Sequence, residues 1–340
     1  MKIAQVAPLI ESVPPKFYGG TERVASYLTE ELVKQGHDVT LFASGDSVTT
    51  AQLKSVVPKA LRLTENSNST IYHILMIEEV LKQASNFDII HFHLDSLQFP
   101  SARRMKVPHV TTLHGRLDIR DFIDILNEFR DLPLVSISND QRLPVPDINW
   151  QATVHNGIPD DLYSFHASQG NYLAFLGRIS PEKGVDHAIE IAKRINIPLK
   201  IAAKVDKTDM QYFEMHIKPL LDHPLIDYVG EIGEKEKDHF LGNAYALILP
   251  INWPEPFGLV LIEAMACGTP VIAYRRGAIP EIVENGVNGY VVTNIEDAVV
   301  AVDKLMSIDR HACRESFLQR FSVKIMAERY VQVYEKLINQ

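Results

Sequence analysis

The chain has 340 residues, 46% of them hydrophobic and 23% charged, a composition of ordinary globular proteins and a length that predicts about two domains. Its net charge of −9 is spread evenly, with 15 Lys and Arg against 20 Asp and Glu over residues 1–170 and 19 against 23 beyond. No basic domain therefore advertises nucleic-acid binding, and no apolar run approaches the ~20 residues that span a bilayer.

Short β-branched runs alternate with amphipathic segments, the pattern of βαβ units around parallel sheets. KIAQVAP reads as a strand, TERVASYLTEELVKQG as a helix ending at Gly36, and DVTLFAS as the next strand. A helix through IYHILMIEEVLKQAS follows, then strands DIIHFH and HVTTLHG, a helix around DFIDILNEF, and strands LVSIS and ATVHNG. Residues 159–170, PDDLYSFHASQG, are polar and turn-rich and read as a linker. A second series then runs YLAFLGR, helix VDHAIEIAKRI, strand PLKIAAK, helix DMQYFEMHIKPLL, strand IDYVGEI, helix KEKDHFLGNA and strand YALILPI. After a further helix come PVIAY, IPEIVENG and GYVV, and residues 295–340 read as helical. This predicts two doubly wound α/β domains, whose ligands bind at the carboxyl ends of the strands, in a cleft if the two edges face each other.

Cys267 and Cys313 are too few for a disulfide framework and stand in no metal knuckle. The N-terminal apolar run is too short for a secretion signal, so Asn68-Ser69-Thr70 reads as a loop and the expected compartment is cytoplasmic. G-x-G-x-x-G, G-x-x-x-x-G-K-[ST] and D-x-D are all absent, which argues against a dinucleotide fold, a P-loop nucleotidase and a metal-held diphosphate.

Five stretches could carry chemistry. In Tyr18-Gly19-Gly20-Thr21-Glu22 the glycines let backbone approach a ligand at a helix N-terminus, which favours anions. A plain turn capped by Thr21 is the alternative. His91-Phe92-His93-Leu94-Asp95 would put its three polar side chains on one face of a strand, the start of a zinc site or a run of satisfied cleft residues. His114 ends another strand beside Gly115 and would project from the carboxyl edge. In GRISPEKG, Arg178 and Lys183 precede a helix start and form an anion trap suited to a diphosphate, or are two solvated loop cations.

The fifth is EPFGLVLIEAMACGTPVIA, where Glu255 and Glu263 stand eight positions apart. The helix starts near Phe257 or Leu259 and stops at Gly268. Leu259, Ile262, Glu263 and Ala266 share a face, so Glu263 sits on or beside the apolar stripe and needs donors, from a lysine, an arginine or the hydroxyls of a ribose or sugar. Capping by Glu255 and an internal salt bridge for Glu263 remain open on spacing alone.

Glu255-x7-Glu263 resembles the motif of retaining GT-B glycosyltransferases of family 4. The likeness extends over nearly the whole chain, through Gly19-Gly20, TLHG at His114, HNGIP around Asn156, GRISPEKG, YVGEI and GAIPEIVENGVNGYVV. It implies a GT-B fold of two Rossmann-like domains facing a cleft: an acceptor-side domain over 1–163 joined by the last helix, about 322–340, and a donor domain over 164–321. It gives Gly19 and Gly20 the donor phosphate, with contact through the Gly20 N–H, and gives Arg178 and Lys183 the leaving diphosphate. Glu263 takes the ribose, Ile232 the base through its backbone, and Glu255 the sugar hydroxyls with the N–H groups of Phe257, Gly258 and Leu259. His114 reaches the donor sugar, and HFHLD faces the acceptor cleft. The catalytic set so implied is His114, Arg178, Lys183 and Glu255.

The implied reaction moves a hexose from a nucleotide sugar, UDP-glucose by the family's commonest usage, by front-face substitution without cofactor or metal. The acceptor (small molecule, glycan or lipid) and the oligomeric state are not legible; Arg103-Arg104-Met105-Lys106 is the one trace of a peripheral membrane contact. A nucleotide-sugar epimerase on the same fold and a metal-dependent hydrolase built on His91, His93 and Asp95 are the competing readings. The chain departs from many relatives in having Ala278 after Gly277, where a second glycine is usual, and in its short length.

Overall fold

The computed structural model describes residues 1–16, 19–64 and 68–340. It divides into two compact units, Met1–Pro159 with Val323–Gln340, and Asp160–Ser322.

In the first unit the strands are β1 (Lys2–Val6), β2 (Asp38–Phe42), β3 (Gln52–Lys54), β4 (Ile89–Phe92), β5 (His109–Leu113), β6 (Leu134–Ser136) and β7 (Trp150–Thr153). They form a parallel sheet in the order β3-β2-β1-β4-β5-β6-β7. The helices are α1 (Gly20–Lys34), α2 (Ser69–Lys82), the short α3 (Phe99–Ala102) and α4 (Arg120–Glu128). Order reverses between β1 and β4, and the loops after those strands are where such sheets hold ligands. Asn68, expected in a loop, instead caps α2: its side chain accepts from the Thr70 N–H at 3.1 Å. β3 is three residues long, too short to show an alternation in the sequence.

The second unit repeats the plan with β8 (Leu173–Arg178), β9 (Leu199–Lys204), β10 (Ile226–Gly230), β11 (Ala246–Leu249), β12 (Val271–Tyr274) and β13 (Gly289–Val292). All pairs are parallel, in the order β10-β9-β8-β11-β12-β13, so the reversal falls between β8 and β11. Its helices are α5 (Val185–Ile195), α6 (Met210–Tyr212), α7 (Glu234–Gly242), α8 (Leu259–Ala266), α9 (Ile279–Ile282), α10 (Ile295–Lys304) and α11 (Arg310–Arg320). In α5 the buried Val185, Ala188, Ile189 and Ala192 follow the helical period and pack on Phe175, Ile201 and Ile248 of the sheet.

Two helical expectations change. DMQYFEMHIKPLL is not one helix: α6 passes into a π-turn at Phe213–Ile217 and a 3-10 turn at Lys218–Leu220, where Pro219 lacks an N–H and crowds the preceding turn. The C-terminal 46 residues hold α10, α11 and α12 (Val323–Ile338), separated because Asp309 caps α11 and the chain breaks at Phe321-Ser322. Helix α12 belongs to the first unit; its Val323 N–H donates to Ile158 O at 2.8 Å.

Candidate active site

In the second unit, β8 delivers Arg178 to the reversal point and the chain turns through Pro181–Lys183 into α5. Gly184 begins that helix with φ 70°, and a Cβ there would fall 2.2 Å from Pro250 O, so only glycine lets the turn seat on the end of β11. Asn252, in the loop after β11, donates its N–H to Glu182 O at 2.8 Å, joining the two loops that flank the reversal.

Neither cation of that turn is simply solvated. Arg178 Nη2 donates to Glu182 Oε1 at 2.9 Å, and Nη1 lies 3.5 Å from Asp206 Oδ2. Lys183 Nζ donates to Glu255 Oε2 at 2.7 Å and sits 4.5 Å from the centroid of the Trp253 ring. Trp253 Nε1 donates to the same carboxylate oxygen at 2.7 Å. Lys204 Nζ lies 2.9 Å from Asp206 Oδ1, and this hydrogen bond leads the causes that hold the Asp206 carboxyl below its usual range. Burial pushes the Glu182 carboxyl up, but its own backbone N–H, Ser180, Arg178 and Lys183 together bring it below the ordinary value.

Glu255 is not the cap of α8. Gly258 holds that place with φ 89° and no side-chain cap bond, so Phe257, Gly258 and Leu259 lead into a first turn whose N–H groups no cap side chain fills. The Glu255 backbone is fixed from the other side: its carbonyl accepts from the Ala278 N–H at 2.9 Å, and a Cβ on Gly277 (φ 55°) would fall 2.2 Å from that oxygen. Ala278, the departure from the second glycine, is fully buried and donates this bond.

Glu263 is buried, with its side chain 4% exposed, and meets Lys237 Nζ of α7 at 2.9 Å. The internal salt bridge left open by spacing is therefore present. There is no separate apolar stripe, because α8 is enclosed all round from Leu261 to Ala266, with only Leu259 and Val260 of its first turn half-buried. β10 stops at Gly230, so Ile232 is not on the expected strand; it lies in the connection to α7, with its main chain outside the β10–β9 ladder.

In the first unit, Gly19 caps α1 and the exposed Gly20 is its first residue, so Thr21 is inside the helix and caps nothing. A Cβ on Gly19 would meet Pro15 Cβ at 2.9 Å. Tyr18, at the head of this loop, lies outside the described residues. HFHLD does not share one face: β4 ends at Phe92, and Asp95 is exposed in the following turn. His91 and His93 are buried and do not line an open edge. His91 Nδ1 lies 2.7 Å from the Tyr334 hydroxyl and Nε2 2.7 Å from Thr112 Oγ1. His93 Nε2 lies 2.8 Å from Gln5 Oε1 and Nδ1 2.9 Å from His114 Nε2. All four ring nitrogens of the two histidines are thus taken by protein groups, which removes the donors that the zinc reading needs. His114 is half-buried beyond β5, and desolvation lowers its pKa to about 4. Arg103 of the basic cluster is bound by Glu128 and Asp131.

With this geometry in place, comparison with known proteins is decisive. Residues 18–138 match the family model Glycosyltransferase Family 4, and residues 164–317 match the model Glycosyl transferases group 1. The chain is a GT-B glycosyltransferase of family 4. Among curated relatives of this glycosyltransferase, N-acetyl-alpha-D-glucosaminyl L-malate synthase of Bacillus anthracis is 26% identical over 93% of both chains. Among solved structures, AviGT4, a glycosyltransferase involved in avilamycin A biosynthesis, superposes with a TM-score of 0.78 at 23% identity over 100% of this chain and 98% of that one. Anabaena HepE in complex with UDP and glucose gives 0.78 at 16% identity over 99% and 100%. At these identities the structural likenesses speak for the fold.

The second unit of this glycosyltransferase brings Arg178, Lys183 and Glu255 together around the β8–β11 reversal, with Gly258 and Leu259 next to Glu255 at the start of α8. Lys237 and Trp253 were not singled out in the sequence. The need of a carboxylate at Glu263 for a lysine or arginine is the one signal in the sequence toward Lys237, 26 residues away.

Proposed function

We propose that the chain transfers a hexose from a nucleoside-diphosphate sugar, UDP-glucose or a close relative, to an acceptor with retention and without a metal ion. The observation that carries this reading is the pair of carboxylates on either side of the α8 N-terminus, each held by a lysine: Glu255 by Lys183 and Glu263 by Lys237. A diphosphate arriving at Lys183 would compete with Glu255 and release that carboxylate for sugar hydroxyls. Glu263, fixed by Lys237 Nζ through Oε1, keeps a second oxygen for a ribose. The complexes of HepE with UDP and glucose, and with UDP-glucose, support this choice of donor.

The chemistry follows from charge. Breaking the sugar–phosphate bond leaves negative charge on the diphosphate, and Arg178 and Lys183 are preplaced to meet it. A double displacement would need a carboxylate nucleophile on the far face, and Glu255 is committed to hydroxyls in this reading. The acceptor oxygen therefore bonds to the anomeric carbon on the face the phosphate leaves, and the departing phosphate oxygen takes the acceptor's proton. In the first unit, the Gly20 N–H serves the donor phosphate and His114 a sugar hydroxyl. The acceptor is a small molecule, glycan or lipid.

The test starts with thermal stabilisation by nucleoside diphosphates and their sugars, then measures UDP release with candidate acceptors in chelator. Release that requires the acceptor and persists in chelator is expected. Glu263→Ala should weaken free UDP by about 10-fold or more, the worth of a hydrogen bond to a charged group. Glu255→Ala, which frees Lys183 of its competing carboxylate, should bind UDP at least as tightly as wild type and erase the preference for UDP-glucose. Unchanged UDP affinity in Glu263→Ala would sink the ribose assignment, and conversion of donor without acceptor would sink the transferase reading.

A further inference from the structure

The groups behind His114 form a chain of hydrogen bonds with a fixed direction. Gln5 Oε1 lies 2.8 Å from His93 Nε2, and an amide oxygen only accepts, so His93 carries its proton on Nε2. His93 is buried with its ring 4.1 Å from that of His91 and 5.1 Å from that of His114, a stack that disfavours a charge on any member. A neutral His93 presents a lone pair at Nδ1, and His114 Nε2, 2.9 Å away, must donate to it. The outer nitrogen of His114, Nδ1, is then left unprotonated, and it has no partner among the described residues.

The other arm has the same polarity. Gln5 Nε2 donates to the Tyr334 hydroxyl at 3.0 Å, so that hydroxyl turns its own proton to His91 Nδ1, 2.7 Å away. His91 Nε2 then donates to Thr112 Oγ1 at 2.7 Å, and Thr112 lies 3.0 Å from the Tyr330 hydroxyl. Once Gln5 is oriented, every hydrogen bond along both arms has one donor and one acceptor, and the outer nitrogen of His114 is the open end. Inverting that amide would reverse each bond in turn and make the outer nitrogen of His114 a donor.

We propose that Gln5 and His93 are positioning residues that lock His114 as its Nε2–H tautomer, so that it presents the lone pair of Nδ1 to a ligand hydroxyl. A hexose hydroxyl held there donates to His114, which selects a substrate with a hydroxyl over one with a bare acceptor at that position. The sugar in this statement rests on the proposed function; the tautomer lock does not.

The full chain labelled with ¹⁵N in histidine, without nucleotide at pH 7, gives the answer by long-range proton–nitrogen correlation, His114→Gln identifying the signal. A single Nε2–H tautomer for His114 is expected. An Nδ1–H pattern, or two tautomers in exchange, overturns the lock. In His93→Phe, which offers His114 Nε2 no acceptor, the single tautomer should be lost, and its retention in folded protein would overturn the positioning role; should that variant not fold, the wild-type spectrum still decides. Added UDP-glucose should shift His114 Nδ1 where UDP does not. An unshifted signal beside an intact tautomer overturns the sugar contact and leaves the lock standing.

Discussion

At the scale of single residues, Glu255 and Glu263 are each held by a lysine distant in the chain. Lys237 and Lys183 reach them over 26 and 72 residues, and no local pattern encodes such contacts. The Glu263–Lys237 pair is nearly closed to solvent, 4% and 15% exposed, and while Lys237 also lies 3.6 Å from Glu234 Oε2, removing Lys237 strands the Glu263 charge. Lys237→Met should therefore cost about 3–5 kcal/mol in urea unfolding, while Lys237→Met with Glu263→Leu should recover most of it. A single variant within about 1 kcal/mol of wild type would show that Glu263 finds another donor.

His91, His93 and His114 make a second residue-level case, because burial holds all three below the ordinary imidazole pKa, His114 to about 4. As pH falls below about 6.5 the unfolded chain takes up protons that the folded one refuses. Their contribution is complete above that value and is lost as pH falls toward the folded pKa values. For His114 the window is from about 6.5 to about 4. Stability in urea should fall between pH 7.5 and 5.5 by up to about 1.4 kcal/mol per pH unit for each such histidine. A flat profile would mean that these imidazoles take up protons as readily in the native state as in the unfolded chain.

At the scale of elements, alternation and caps gave most strands and helices to within a few residues, and α5 to the residue. Where the reading failed, tertiary context or a single proline intervened, as in the π-turn before Pro219 and the three-residue β3. The loops of the site were legible as glycine-bearing strand ends, but not as a clamp. Gly277 approaches Glu255 so closely that a methyl group would meet its O, N and C atoms at 2.2, 2.4 and 2.8 Å. All three are backbone atoms, which cannot swing aside as a side-chain end would. Gly277→Ala should shift the Glu255 segment, lowering kcat/KM with the nucleotide sugar by at least about 10-fold, since small misplacement of reacting groups is costly. UDP affinity should change less, because Lys237 and Glu263 stand apart from that loop. Equal losses for both ligands would place the damage in the fold and not at Glu255.

At the scale of the whole molecule, the two sheets share the order of six strands, with β7 added at the edge of the first, and alternation predicts that plan without fixing where the chain's last helix goes. Helix α12 joins the first unit, and its Tyr330 and Tyr334 are fully buried there. The Tyr334 hydroxyl meets both Gln5, 329 residues earlier, and His91, so the two ends of the sequence are tied through one oxygen. Apolar periodicity finds α12 but says nothing of a hydroxyl at its buried face. Tyr334→Phe keeps the ring and its packing while leaving Gln5 Nε2 and His91 Nδ1 without that partner. Each stranded buried group costs about 1–3 kcal/mol, so a loss of about 2–6 kcal/mol is expected in urea unfolding. Tyr330→Phe should cost less, because its hydroxyl bonds Thr112 Oγ1, which retains its bond to His91. If Tyr334→Phe matched wild type within about 0.5 kcal/mol, the hydroxyl would be ornamental and α12 held by its apolar face alone.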